Sequence, residues 1–409
     1  MNATCRSCGA AGLQSILDLG RTPLANALLN AEELDAPEPA YPLELAFCPH
    51  CTLVQILETV SPEKLFRDYV YFSSFADTTL SHARTLANRM IESRRLNQDS
   101  LVIEAASNDG YLLQYYLQAG VPVLGIEPAF NIAHVAREQR GIDTRCDFFT
   151  EGLAQSLIAE GRRADVFHAH NVLAHVADLN GFVRGIRTVL KSDGVAVIEV
   201  PYVGDLIEHA EFDTIYHEHL CYFSLTALQN LFQRHELNLR DVERIGIHGG
   251  SIRLHVGRRA TNLPASMRVQ DLLREETRKG IDCAAFYQTF GLRVRALKTA
   301  LCGFLADLKR KGLRIAAYGA SAKGSTLLNY FGIGPETLDF VVDRSPIKQG
   351  RFTPGTHLPI FAPDKLVETV PDYVLLLTWN FADEIMGQQA EYRRRGGRFI
   401  CPLPEVKVA

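Results

Sequence analysis

No stretch of the chain approaches the ~18 consecutive apolar residues that would span a bilayer. No basic tract marks a nucleic-acid surface either. The first residues, Met1-Asn-Ala-Thr-Cys5, carry neither the basic nor the apolar region of a secretory leader. Nucleic acid and membrane are therefore not expected partners, and a cytoplasmic location is expected. Three catalytic signatures are also missing. No three-glycine turn follows a strand, as close approach to a dinucleotide pyrophosphate requires. His217-Glu218 lacks the second histidine of the usual zinc hydrolase, because position 221 is Cys221. Gly319-Ala-Ser-Ala-Lys-Gly324 falls short of a P-loop, because Ser325 rather than lysine follows Gly324. These gaps count against a dehydrogenase, a zinc hydrolase and an NTPase.

What is present describes a soluble globular protein: 47% hydrophobic residues, 22% charged residues and a formal net charge of −4. A length of 409 residues exceeds one ordinary core and predicts two or three domains. Nine cysteines in a reducing compartment point to thiols or metal rather than disulfides. Four of them form two pairs, Cys5-Arg-Ser-Cys8 and Cys48-Pro-His-Cys51. The two-residue spacing lets a tight turn aim both thiolates at one ion, and two such knuckles complete a tetrahedral zinc site. Such a site has no open position, so its role is structural. His50 is expected to face solvent rather than the ion. The prolyl stretch from Leu34 to Pro42 between the pairs reads as a loop.

From about residue 100 the pattern alternates strand and helix. Apolar runs at 101–105, 121–127, 141–145, 165–170 and 194–200 predict strands, with helices from Tyr111 and around Asn131 to Arg140. This rhythm implies an α/β fold, a parallel sheet flanked by helices with its ligand at the carboxyl ends of the strands. The first turn, Glu104-Ala-Ala-Ser-Asn-Asp-Gly-Tyr111, has one glycine, Gly110. That suits S-adenosylmethionine (SAM), which has no pyrophosphate. Asn108 and Tyr111 belong to the same turn. Glu127, followed by Pro128, ends the second strand, where a carboxylate accepts hydrogen bonds from ribose hydroxyls. Asp147-Phe148-Phe149 either frames an adenine or is plain core. Asn171 follows the fourth strand.

Residues 216–219 read Tyr-His-Glu-His. A phenol, a carboxylate and two imidazoles so close together can remove a proton and stabilise the charge that develops. If the stretch is extended, Tyr216 and Glu218 share one face and His217 and His219 the other. A turn would change that facing, so spacing leaves open which histidine acts. SAM and proton chemistry together point to a methyltransferase that deprotonates its acceptor.

Further on, a long helical pattern runs from Ala284 to Lys311. A strand at 313–318 then leads into a turn and helix containing Ser321 and Lys323. A lysine at a helix N-terminus is an anion site. The next strand ends at Asp343, and Lys348 lies in the loop beyond it. Lys323 and Lys348 could each meet phosphates, and Lys348 reads equally well as a solvated loop lysine.

The cysteine knuckles, the Ser107-Asn-Asp-Gly110 turn and Tyr216-His-Glu-His219 followed by Leu-Cys-Tyr-Phe-Ser224 resemble one family along essentially the whole chain. It is that of the sugar C-methyltransferases acting on nucleotide-linked keto-deoxysugars. Asn171-Val-Leu-Ala-His175, His248-Gly-Gly-Ser251 and Tyr318-Gly-Ala-Ser-Ala-Lys-Gly324 add to the match. The resemblance implies a zinc-binding module (1–65), a Rossmann-like SAM domain (66–262) and a C-terminal Rossmann-like domain holding the nucleotide sugar (263–409). It implies methyl transfer to C3 of a nucleoside-diphosphate 4-keto-6-deoxysugar, with dTDP as the expected nucleotide, and a monomer. It implies His219 as the base, with Tyr216 and Glu218 orienting the sugar or steadying charge. His175 matches a further active-site histidine. Tyr71 matches the tyrosine over the methyl donor, with Tyr69 the alternative two residues away. Ser321, Lys323, Asp343 and Lys348 would then face the nucleotide diphosphate. The other readings are a sugar O- or N-methyltransferase, and a zinc-ribbon scaffold carrying a degenerate methyltransferase domain.

Overall fold

The computed structural model describes residues 3–67, 72–75, 77–247, 249–261 and 263–409. Three sheets organise them. The first has four antiparallel strands in the order Gln14–Pro23, Ala40–Phe47, Val54–Ile56 and Cys221–Tyr222. Its last strand comes from the middle of the chain, so the sheet ties the N-terminal segment to the Tyr216–His219 region.

The second sheet has seven strands. Val102–Ala105 is central and parallel to both Val123–Ile126 and Ala164–His170. Thr144–Arg145 extends one side, and Leu190–Pro201 the other. The antiparallel strands Ser251–Arg258 and Leu237–Ile245 finish the edge. Val102–Ala105 and Val123–Ile126 are buried at every position. Helices on both faces require such continuous apolar runs in a parallel sheet.

The third sheet has six strands in the order Ile360–Phe361, Val341–Val342, Ile315–Tyr318, Tyr373–Leu376, Arg398–Cys401 and Lys407–Val408. All pairs are parallel except the last. One contiguous apolar core reaches through all three sheets and includes Leu17, Val54, Ile103, Phe223, Leu328 and Leu375. Among the described residues no helix is long and apolar enough to cross a membrane.

Several elements differ from the sequence expectation in extent. The strand expected over 141–145 is only Thr144–Arg145, because Gly141 at φ 66° caps the helix Phe130–Arg140 in the left-handed conformation. The helical pattern from Ala284 to Lys311 is broken into Ala284–Tyr287 and Phe290–Arg310. Tyr287, which ends the first of these, is held by its hydroxyl, which donates to the Ile281 carbonyl at 2.8 Å, and by its ring, 5.1 Å from Phe47. The strand Ala40–Phe47 begins inside the prolyl stretch expected to be loop.

Candidate active site

The four cysteines converge. Cys5, Cys8, Cys48 and Cys51 offer sulfur atoms within 4.8 Å of one another. The two knuckles close alike: Gly9 N–H donates to the Cys5 carbonyl, and Thr52 N–H to the Cys48 carbonyl, both at 2.9 Å. Gly9 (φ 75°) and Thr52 (φ 65°) both take the left-handed conformation that turns the chain back. Four thiolates crowded in this way repel one another without a cation, and a tetrahedral zinc ion matches both their number and their chemistry. His50 is exposed, as expected.

A cavity of about 710 Å³ opens at the carboxyl ends of the central strands and is walled by parts of all three sheet units. On the cofactor side it is lined by Asn108, Tyr111, Glu127, Pro128, Phe148 and Asn171. The turn after the first strand is built to approach a ligand. Asn108 (φ 50°) and Gly110 (φ 77°) are both left-handed, and a Cβ on Gly110 would come within 2.8 Å of Ile142. Glu127 accepts from the Asn108 and Ala129 amides at 2.9 Å each. Burial pushes its carboxyl up to about 7, against the pull of those two amides. Asn171 is left-handed at φ 53°, and its Oδ1 has no hydrogen-bond partner among the described residues. These groups suit SAM: a carboxylate for the ribose, an amide oxygen for an ammonium, and Phe148 and Phe149 on the cavity wall for a flat base.

Other expected cofactor residues stand back. Glu104 is 1% exposed and does not line the cavity. Burial, with Glu127, Asp109 and Glu199 nearby, holds its carboxyl well above the usual range. Asp147 is exposed and outside the wall, where it accepts from the Phe148 amide at 2.8 Å. Phe148 and Phe149 rather than Asp147 meet the cavity.

The Tyr-His-Glu-His segment is a turn, not a strand. The His219 amide donates to the Tyr216 carbonyl at 2.9 Å. Tyr216 and His219 thereby come to the same side, with ring centroids 4.1 Å apart, and both line the cavity. His217 faces away and meets the Pro42 carbonyl at 3.1 Å. Glu218 is buried behind the wall, where it accepts from Asn26, a wall residue, at 2.6 Å.

The His219 tautomer is readable from its partners. Nδ1 lies 2.9 Å from the Thr214 carbonyl, which can only accept, so Nδ1 carries a proton. Whenever the ring is neutral, its Nε2 lone pair therefore faces the Tyr216 hydroxyl at 2.9 Å. His175 packs edge-on against His219 at 4.7 Å, and burial pushes its imidazole down to about 4. It is therefore a neutral group at physiological pH. Tyr71, Tyr69 and His248 lie outside the described residues.

On the far side the cavity meets the C-terminal unit. Ser321 caps the helix Ala322–Phe331 by accepting from the Gly324 amide. Lys323, Asp343 and Lys348 also line the wall. Lys348 is held by the Ala320 carbonyl at 2.8 Å and lies 3.7 Å from Asp343, so part of its role is to fasten the loop. Lys323 sits 4.6 Å over the Trp379 ring.

Some wall residues gave no local signal. Asn26, Phe66 and Asn380 reach the cavity from distant segments. His170, also on the wall, adjoins a buried network in which Glu199 accepts from Arg253 at 2.6 Å and meets His82 at 3.0 Å. Burial opposes ionisation of Glu199, but His170, His82 and Arg253 together hold it below the ordinary carboxylate range. Alternating histidines on a strand, His168 and His170, were the available clue.

Comparison with known proteins yields three family models in succession. "Putative zinc binding domain" matches residues 5–66, "Methyltransferase domain" residues 79–242, and "C-methyltransferase C-terminal domain" residues 246–404. C-methyltransferase NovU of Streptomyces niveus is 36% identical over 408 residues, covering 99% of this chain and 96% of that protein. Among solved structures, magnesium protoporphyrin IX methyltransferase (ChlM) from Synechocystis PCC 6803 with bound SAH aligns over 44% of this chain and 82% of its own, with TM-score 0.35 and 12% identity. An S-adenosylmethionine-dependent methyltransferase from Clostridium acetobutylicum aligns over 45% and 93%, with TM-score 0.35 and 9% identity.

Proposed function

The chain belongs to the family of SAM-dependent C-methyltransferases, and from that premise we propose that its acceptor is a nucleoside-diphosphate 4-keto-6-deoxysugar methylated at C3. The observation that carries this reading is the Tyr216–His219 pair. It lines the same cavity as Glu127 and Asn171 on one side and Ser321 and Lys323 on the other. An O- or N-acceptor also gives up a proton to a base but forms no enolate, so it needs less of this machinery. A hydrogen α to a ketone needs all of it.

Bound SAM supplies an electrophilic methyl group. Glu127 accepts the ribose hydroxyls, and Asn171 and Tyr111 orient the rest of the donor. Tyr71 is proposed to contact the methyl donor. The amide-rich start of the helix Ala322–Phe331 and the Lys323 ammonium bind the diphosphate. His219 Nε2 takes the C3 proton, and the Thr214 carbonyl steadies the resulting imidazolium through Nδ1–H. The Tyr216 hydroxyl, released from Nε2, donates to the developing enolate oxygen. His175 stays neutral beside the base, where a second positive charge would oppose proton uptake. Glu218 and Asn26 hold the turn from behind.

The test is deuterium wash-in at C3 of dTDP-4-keto-6-deoxyglucose in D₂O with SAH, followed by product analysis with SAM. Exchange plus a new carbon-bound methyl is expected. A methyl bonded to oxygen or nitrogen, with no exchange, would sink the reading.

A further inference from the structure

Trp379 is the chain's single tryptophan. It opens the turn Trp379–Phe381 after the strand Tyr373–Leu376, and Thr378 and Asn380 on either side of it line the cavity. Its indole N–H donates to Asp213 Oδ2 at 2.7 Å. Asp213 is 0% exposed and sits in the short turn Phe212–Thr214. The next residue, Thr214, supplies the carbonyl that fixes the tautomer of His219. The residue after that is also held: Thr326 Oγ donates to the Ile215 carbonyl at 3.2 Å. Phe212 stacks on Phe331 at 4.8 Å. The C-terminal unit thus grips the catalytic turn on both sides of the Thr214 carbonyl.

Apolar packing such as Phe212 on Phe331 would suffice to join two domains. A fully buried carboxylate is costly even with the Trp379 indole, the Asp213 and Thr214 backbone amides and the Lys323 charge favouring it, so it is a poor choice for stability alone. A directional hydrogen bond does what packing cannot: it fixes the angle of the turn. Burial raises the Asp213 and Glu211 carboxyls, to about 6 and about 8, and Lys323, over the Trp379 ring, offsets part of that rise. A diphosphate engaging Lys323 would therefore be felt at this bond.

We propose that Asp213 and Trp379 are positioning residues through which occupation of the nucleotide side of the cavity sets the orientation of His219. The proposal rests on the nucleotide-sugar reading above. The C-terminal unit then has two roles, holding the acceptor and aligning the base, and neither residue touches a reacting atom.

The test uses the full-length, zinc-loaded protein and dTDP as the probe. In the wild type, dTDP binding should change the emission of the lone indole. Trp379→Phe keeps a ring beneath Lys323 and deletes the donor. It should bind dTDP within about threefold of wild type while kcat and C3 deuterium exchange fall about tenfold or more. The acid limb of its kcat–pH profile should also move, because the base is no longer held in place. Asp213→Leu, which removes the acceptor at similar volume, provides a second variant should Trp379→Phe fold poorly, and it should give the same split. Unchanged kcat and pH limb, or a fall in kcat matched by an equal loss of dTDP affinity, overturns the proposal. No dTDP binding to the wild type defeats the nucleotide reading itself, and the proposal with it.

Discussion

Glu127 shows how one buried side chain turns into a pH dependence. Its carboxyl is raised to about 7, so it holds its proton well above the ordinary value of about 4.3. A raised folded-state pKa contributes stability below the unfolded value and loses it as pH climbs through about 7. Ligand binding runs the other way, because the ionised carboxylate is the stronger acceptor for ribose hydroxyls. SAH affinity is expected to rise from pH 6 to pH 8, by up to about tenfold if only the ionised form binds. Titration calorimetry at the two pH values checks this, and Glu127→Gln should flatten the dependence. A wild-type affinity that falls over that range would reverse the assignment.

His219 makes a separate demand at the same scale. His219→Gln is expected to keep SAH binding and lose methyl transfer by about a hundredfold or more, the usual weight of a general base. Near-full turnover would remove His219 as the base. The four cysteines and the single-glycine turn were readable because their spacing alone defines a geometry. The choice between His217 and His219 was not readable. Strand periodicity would pair them on one face, whereas the Tyr216–His219 turn separates them. Asn26 was invisible for a different reason: its partner Glu218 is 192 positions away, and no local pattern encodes a contact of that range.

At the scale of elements, the turn joining Val102–Ala105 to Leu113–Gln118 is the one proposed to hold the cofactor. Gly110 is confined there twice, by φ 77° and by Ile142 at 2.8 Å from where a Cβ would stand. Gly110→Ala should therefore lower thermal stability, by about 1–2 kcal/mol from the backbone conformation alone. It should weaken SAH binding more than dTDP binding, because the strain falls on the donor turn. Melting and paired calorimetric titrations read both effects. A uniform loss of both ligands would mean general unfolding instead. The strand–helix alternation was plain in the sequence, since buried parallel strands are short apolar runs. Element ends were not, as Gly141 shows by serving the preceding helix rather than opening a strand.

At the scale of the whole molecule, the zinc module shares a sheet with the strand Cys221–Tyr222, which follows the proposed catalytic turn. Val54 pairs with Tyr222 and Gln55 with Cys221, three and two residues beyond His219. The Ile56 amide donates to the Leu220 carbonyl at 3.1 Å, and the Leu220 amide to the Ala174 carbonyl at 2.7 Å, beside His175. Cys48 and Cys51 stand directly before the strand Val54–Ile56, and Arg6, between Cys5 and Cys8, donates to the Ile56 and Glu58 carbonyls. A metal that locks the two knuckles therefore locks the strand against which the base segment is laid. The turn proposed for SAM follows a strand of a different sheet. Zinc removal, by chelation or by Cys51→Ser, should consequently lower methyl transfer in step with metal content while SAH affinity stays within a few-fold. Metal analysis, turnover and SAH calorimetry on the same samples decide it. Turnover that survives complete loss of zinc would show that the shared sheet holds the base segment without the ion.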